Sequence, residues 1–136
     1  MAKAKAKPYP LALLELMQSK TATLLKARTY ADMGLAETAQ PIWIAAATCE
    51  ERIAPLLDVL GRYLEAAASR ISAASCYQKG GDSSRAVNLY QAALAAPLRS
   101  HTRRDVEAML AECLNELGRK ALNGSSRRGD KIQAES

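Results

Sequence analysis

One pattern occurs twice in this chain, 47 residues apart and with no gap. Residues 26 to 50 read KARTYADMGLAETAQPIWIAAATCE and residues 73 to 97 read AASCYQKGGDSSRAVNLYQAALAAP. The alignment sets Ala27 on Ala74, Tyr30 on Tyr77, Gly34 on Gly81, Ala39 on Ala86, Trp43 on Tyr90, and Ala45 and Ala46 on Ala92 and Ala93. An internal repeat of this length restricts the fold to one supersecondary unit used more than once. The unit itself is legible. A ring four residues before a glycine places the ring in the last turn of a helix and the glycine just past its end, where a positive φ is needed. The Ala-x-x-x-aromatic-x-x-Ala spacing that follows is one face of a second helix, in which alanines admit a close neighbour and the ring fills the space between. A partial third copy, offset by 37, sets Ala111, Leu114 and Gly118 on Ala74, Tyr77 and Gly81.

Composition agrees with helices. The 136 residues include 27 alanines, no Phe, 5 Tyr and 1 Trp, a mixture that favours closely packed helices over strands built from β-branched and aromatic residues. The expected fold is all-α: stacked antiparallel αα-hairpins closed by a C-terminal capping helix. That helix follows Pro97, with Thr102 and Asp105 placed as an N-cap pair and Val106, Met109, Leu110, Cys113, Leu114 and Leu117 facing inward.

The polar run YQKGGDSSRAV, 77 to 87, is the stretch most like a ligand loop. Lys79-Gly80-Gly81-Asp82 occupies the place of Asp32-Met33-Gly34-Leu35 in the first copy, so a hairpin turn accounts for it. It lacks the G-x-x-x-x-G-K-[ST] spacing that aims backbone N–H groups at phosphate. Ser83 or Ser84 reads as the N-cap of the next helix. Other chemistry is equally thin. His101 is the only histidine and lies in a polar stretch, reading as a surface loop residue. Glu50 and Glu51 point about 100° apart on a helix and read as solvated. Cys49, Cys76 and Cys113 form no C-x-x-C and read as small hydrophobes in a reducing compartment. The chain reads as a non-enzyme without cofactor or metal.

The repeated residues resemble the tetratricopeptide repeat, whose signature sets a small residue and a Tyr in its first helix and Ala-x-x-x-aromatic in its second, closed by Pro. Ala74, Tyr77, Ala86, Tyr90 and Pro97 match it, as do Ala27, Tyr30, Ala39 and Trp43; the resemblance covers about residues 20 to 118. The chain departs from the family in its period, 47 against 34 residues, in Thr23/Lys26 and Arg70/Ala73 where Trp and Leu are usual, and in Glu50 where unit one would close on Pro. The 13 added residues are assigned to a backward extension of the second unit's first helix, starting at Pro55. Its seam would be Ile53, Leu57, Leu60, Leu64, Ala67, Ile71 and Ala74, read as internal core with a dimer contact as the alternative. The resemblance implies a protein-interaction module that holds a peptide or helix of another protein. It places the binding face on the first helices of the units: Leu24, Arg28 and Asp32, then Ile71, Ser75 and Gln78, then Asp105 and Glu112. Clamp-type members that bind a carboxylate tail carry several cations on this face; here Arg28 is the only one of the eight.

The net charge of +5 belongs to the ends. Residues 1–10 and 119–136 each carry +3, and the 11–118 domain holds 11 basic and 12 acidic residues, net −1. Both end segments lack an apolar periodicity and read as disordered basic tails. Nonspecific attachment to nucleic acid or an anionic surface through them is the alternative function. Arg128-Gly129-Asp130 matches a cell-adhesion tripeptide, a pattern too short to carry weight. No apolar run approaches a membrane span or the core of a signal peptide, and a cytoplasmic location is expected.

Overall fold

Three glycines end three helices by the same device. Gly34, Gly61 and Gly81 adopt φ of 80°, 75° and 87°. At each, the glycine N–H donates to a carbonyl three residues back and the next N–H to one five residues back: Gly34 to Ala31 and Leu35 to Tyr30, Gly61 to Asp58 and Arg62 to Leu57, Gly81 to Gln78 and Asp82 to Tyr77, all at 2.8–3.1 Å. This is the Schellman closure, which satisfies carbonyls that the helix end would leave bare. The chain then re-enters a helix at once, so each connection is three residues long.

The computed structural model describes residues 8–135, with side chains described to residue 124; the basic segment 1–7 and Ser136 lie outside the described residues. The helices are α1 (Leu11–Asp32), α2 (Ala36–Val59), α3 (Tyr63–Lys79), α4 (Ser83–Leu94) and α5 (Ser100–Glu135). There is no strand among the described residues, and the fold is all-α. Each helix packs mainly on its neighbours in the chain. Asp32 and Lys79 end α1 and α3, and Ala36 and Ser83 start α2 and α4, so the boundaries around the two turns stand 47 residues apart.

The core is dominated by alanine. Ala39, Ala46 and Ala47 of α2, Ala73 and Ala74 of α3, and Ala86 and Ala93 of α4 are buried; such small side chains permit interaxial distances at the short end of the usual 8–10 Å range. Trp43, Tyr77 and Tyr90 fill the remaining space in the same cluster. A methyl at Gly80 would run into the Ile44 side chain and lie 3.2 Å from the Gln40 carbonyl oxygen. The glycine pair of the polar run thus has two uses: Gly81 turns the chain, and Gly80 lets the end of α3 lie against α2.

The structure corrects the sequence reading at several points. The added residues do not extend α3 backwards. Pro55 lies inside α2, the Gly61 turn divides the supposed seam between α2 and α3, and α2 runs for 24 residues against 12 for α4. The surplus has its own partner: Leu13 of α1 is fully buried against Ile53 and Leu57 of α2 and Ala66 of α3, a second core cluster beside the first. Leu64, from the same supposed seam, is 54% exposed. Glu50 is buried, not solvated, and pairs with Lys20 at 3.3 Å; Glu51, one step round the helix, is exposed and accepts a hydrogen bond from the Tyr77 hydroxyl. Asp82 rather than a serine caps α4, its Oδ1 accepting from Arg85 N–H at 3.1 Å, and Ser83 is buried. Thr102 sits inside the first turn of α5, which starts at Ser100.

Val106 and Cys113 of α5 are fully buried and Met109, Leu110 and Leu117 pack on the main core, but Leu114 is 49% exposed. Leu114 stands where the second copy has the buried Tyr77, and Gly118, the match of Gly81, does not end α5. Residues 118–124 are all exposed; Lys120 still reaches the Gly81 carbonyl at 3.4 Å, and the helix continues through the segment that composition assigns to a tail.

These conformations predict opposite responses to one substitution. Gly61→Ala places a side chain at φ +75° and should lower stability by about 1 kcal/mol or more. Gly118→Ala, with nothing within 4 Å of the added methyl, should raise it by up to about 1 kcal/mol. Urea midpoints of the two variants check both signs.

Candidate functional site

Because every turn reverses the chain, α1, α3 and α5 run in one direction, with α2 and α4 reversed between them. Contacts at both ends agree. The Tyr9 hydroxyl donates to Glu65 Oε1 at 2.7 Å and the Arg62 guanidinium lies 4.5 Å above the Tyr9 ring, so the start of α1 meets the start of α3. Between α3 and α5, Leu64, Ala68 and Ile71 share an open hollow of about 330 Å³ with Leu98, Arg99, His101 and Thr102. Ser75, Gln78 and Lys79 share a second, about 340 Å³, with Glu116 further along α5. Leu64, Ala68, Ile71, Ser75 and Gln78 follow one another at steps of four and three, one face of α3. The two hollows therefore form a groove along that face, apolar at the α3 N-terminal end and polar at the other.

The groove wall is fixed from behind. Tyr90 of α4 donates its hydroxyl proton to Gln78 Oε1 at 2.9 Å and lies 3.5 Å from Met109 Sδ, so one buried side chain ties α3, α4 and α5. Burial pushes its phenol up to about 12. Tyr77 does the same between α2, α3 and α4: it donates to Glu51 and accepts from Arg85 Nη1 at 3.3 Å, and burial, followed by the Glu51 hydrogen bond, raises its pKa. Lys79 Nζ sits 4.5 Å from the Trp43 ring centroid. Arg103 donates to the carbonyls of Leu94 and Ala96, both at 2.9 Å, holding the α4–α5 connection that carries Leu98 into the groove. Charged groups stand at both ends of the rim, with Lys79 beside Glu116 at the polar one. Arg99 and His101 stand at the apolar end; Glu116, paired with Lys120 at 3.6 Å, stands at the polar end.

Of the residues that the sequence reading assigns to a binding face, the groove brings together Ile71, Ser75 and Gln78. Leu24 is half-buried against the main core on α1. Arg28 and Asp32 are exposed on α1, and Asp105 and Glu112 are exposed on α5; none of them lines the two hollows. The structure adds Leu64, Ala68, Leu98, Arg99, His101, Thr102, Lys79 and Glu116. The α3 members could have been found by continuing the four-three steps back from Gln78. The Leu98–Thr102 segment carries no such periodicity, and its place depends on how α5 docks. A larger open depression of about 630 Å³ lies where α1 meets α2, lined by Glu15, Glu51, Arg52 and Pro55 among others. It also has apolar liners, Ala12, Leu16, Pro55 and Leu56, but it lies over a single pair of antiparallel neighbours and they are interspersed with Glu15, Glu51 and Arg52.

Among the described residues no cluster of three or more His, Cys, Asp or Glu could hold a metal, and no helix is long and apolar enough to cross a membrane. The three thiols are free; burial pushes Cys76 up to about 11 and also raises Cys113.

The raised phenols set a pH response. A group whose folded pKa lies above its unfolded value contributes fully below the unfolded value and loses that contribution as pH rises through the folded one. For Tyr90 the window runs from the ordinary 10.0 to about 12. The melting temperature should hold below that window and fall across it, and Tyr90→Phe, though less stable at neutral pH, should fall less steeply. An equal slope in the variant would remove Tyr90 as a cause.

No protein-family model matches the chain, and no curated protein or solved structure matches it.

Proposed function

We propose that the protein is a non-catalytic interaction module, TPR-like in the order of its hairpins, which holds a helix or extended peptide of a partner protein in the groove between α3 and α5. The observation that carries this reading is the apolar stripe of exposed Leu64 and Ala68 and half-buried Ile71, set in a trough between two helices of the same direction and rimmed by polar and charged groups. A partner segment laid along the trough buries apolar side chains at one end and finds hydrogen-bonding partners at the other, the usual division of labour in peptide recognition. The wall is tied by Tyr90 and Arg103, so little ordering is needed on binding. His101 is exposed in the first turn of α5, beside Thr102 and Arg99, an arrangement that supports recognition rather than nucleophilic chemistry. Free thiols suit work in the cytoplasm.

A second reading rests on α5. Its exposed turns beyond Leu117 carry Arg119 and Lys120, and the basic segment they begin could neutralise phosphates on a nucleic acid or another anionic surface.

Affinity capture from native lysate separates the two. Ala68→Arg places a cation in the apolar end of the groove at an exposed position and should reduce recovery of the captured protein at least about tenfold. Deletion of residues 1–7 and 124–136 should leave recovery nearly unchanged and only weakly salt-dependent. Loss of all capture in the trimmed protein, with its melting temperature unchanged, would overturn the groove reading in favour of the basic segments.

A further inference from the structure

The two ends of the helical stack differ in chemistry. α5 closes one end, and its exposed residues include Arg104, Asp105, Glu107, Glu112 and Asn115. α1 closes the other with an apolar face: Leu11 is 71% exposed, Leu14 42%, Leu25 67% and Met33, at its C-cap, 65%. With Ala22 these residues fall on one stripe of α1, interrupted by the exposed Gln18 and Thr29 and opposite Leu13 and Ala27, which are buried against the body. A stack of helices stays soluble when its terminal elements present a polar outer face. α5, on which Leu114 and Leu122 are the exposed large apolar side chains among the described residues, comes nearer to that condition than α1.

We propose that this face of α1 is the interface of a twofold homodimer, with α1 of one copy packed antiparallel on α1 of the second. Three observations select this occupant. The first is the asymmetry of the ends. Head-to-tail association would bury the apolar face of α1 against the charged face of α5, whereas an isologous contact covers apolar surface with apolar surface and closes at two copies.

The second is the position of Ala22 midway along the stripe. Leu11 and Met33 stand equally far before and after Ala22. Two open hollows of about 480 and 440 Å³ lie to either side of Ala22, and both are lined by Ala22 and Leu25. A twofold axis at Ala22 sets the smallest side chain against itself and lets the backbones approach. It also brings Leu25 of the second copy over the hollow beside Gln18 and Thr21, and the symmetry repeats that insertion.

The third is charge. Glu15 before the midpoint and Lys26 after it are exposed on the same flank of α1. Antiparallel pairing brings Glu15 of one copy towards Lys26 of the other, twice per dimer; parallel pairing would place these flanks of the two copies on opposite sides of the interface, where the charges do not meet.

The interface is separate from the α3–α5 groove, so this inference stands or falls apart from the groove reading. Sedimentation of the full chain over a wide concentration range should show a monomer–dimer equilibrium. Leu25→Asp should weaken it at least about a hundredfold while leaving the circular dichroism and melting curve close to wild type, because the side chain faces outward. Glu15→Lys should weaken it less, and the double variant Glu15→Lys with Lys26→Glu should restore it. Ala22→Cys should form a disulfide-linked dimer on mild oxidation, whereas Glu107→Cys on the far end should not. A wild-type protein that is monomeric throughout, a dimer indifferent to Leu25→Asp, or an Ala22→Cys protein that does not cross-link would each overturn the proposal.

Discussion

Everything downstream in this molecule depends on a helix end that can turn inside three residues. At Gly34, Gly61 and Gly81 a left-handed glycine and the residue after it return two N–H groups to the helix just left, and that following residue is already the N-cap of the next helix. A longer connection would leave the angle between successive helices free. These turns make α1 to α4 successively antiparallel, and the five-residue connection held by Arg103 reverses the chain once more, which sets α3 and α5 side by side with α4 behind them. The groove is a product of turn geometry before it is a product of any side chain lining it.

Alanine makes the short connections compatible with packing. A three-residue turn leaves little room between axes, and the buried faces of α2, α3 and α4 supply methyl groups where bulkier residues would force the helices apart. The rings then act as ties rather than bulk alone: Tyr77 and Tyr90 each place a hydroxyl on a polar group of a neighbouring helix. At the other end of the body, Glu50 and Lys20 fix α1 on α2. A slipped register there would leave a carboxylate buried without its cation, a penalty of about 3–5 kcal/mol. The long pair α1–α2 is thus the more rigidly keyed part of the fold, and its outer face is free for contacts that do not disturb the groove.

How much of this the sequence discloses depends on whether the signal is local. Gly34 and Gly81 are legible because a helix-ending glycine depends on residues within one turn of it, and the small and aromatic positions of α2 and α4 are legible because periodicity is written into each helix. Gly61 carries the same local signal, with Leu57 in the place of the ring, but the apolar steps from Ile53 to Ala74 continue across it and imitate a single helix. Pro55 reinforced that imitation, since a proline suits a helix start yet here lies within α2. Glu50 reads as solvated because its partner, Lys20, is 30 residues away and no pattern links them. On the candidate site, Ile71, Ser75 and Gln78 follow from the face of α3. Leu98 and His101 do not, because the placement of the α4–α5 connection is held by the long-range bonds of Arg103.

The claim most in need of direct measurement is that α3 and α5 run in the same direction along one groove. In a Cys49→Ser background, a short cross-linker with two thiol-reactive maleimides should join Ser75→Cys to Glu116→Cys and Ala68→Cys to Thr102→Cys, the pairs that share a hollow. It should leave the crossed pairs, Ser75→Cys with Thr102→Cys and Ala68→Cys with Glu116→Cys, unlinked. Efficient linking of the crossed pairs, with the direct pairs silent, would mean that α5 runs against α3 and that the groove as described does not exist.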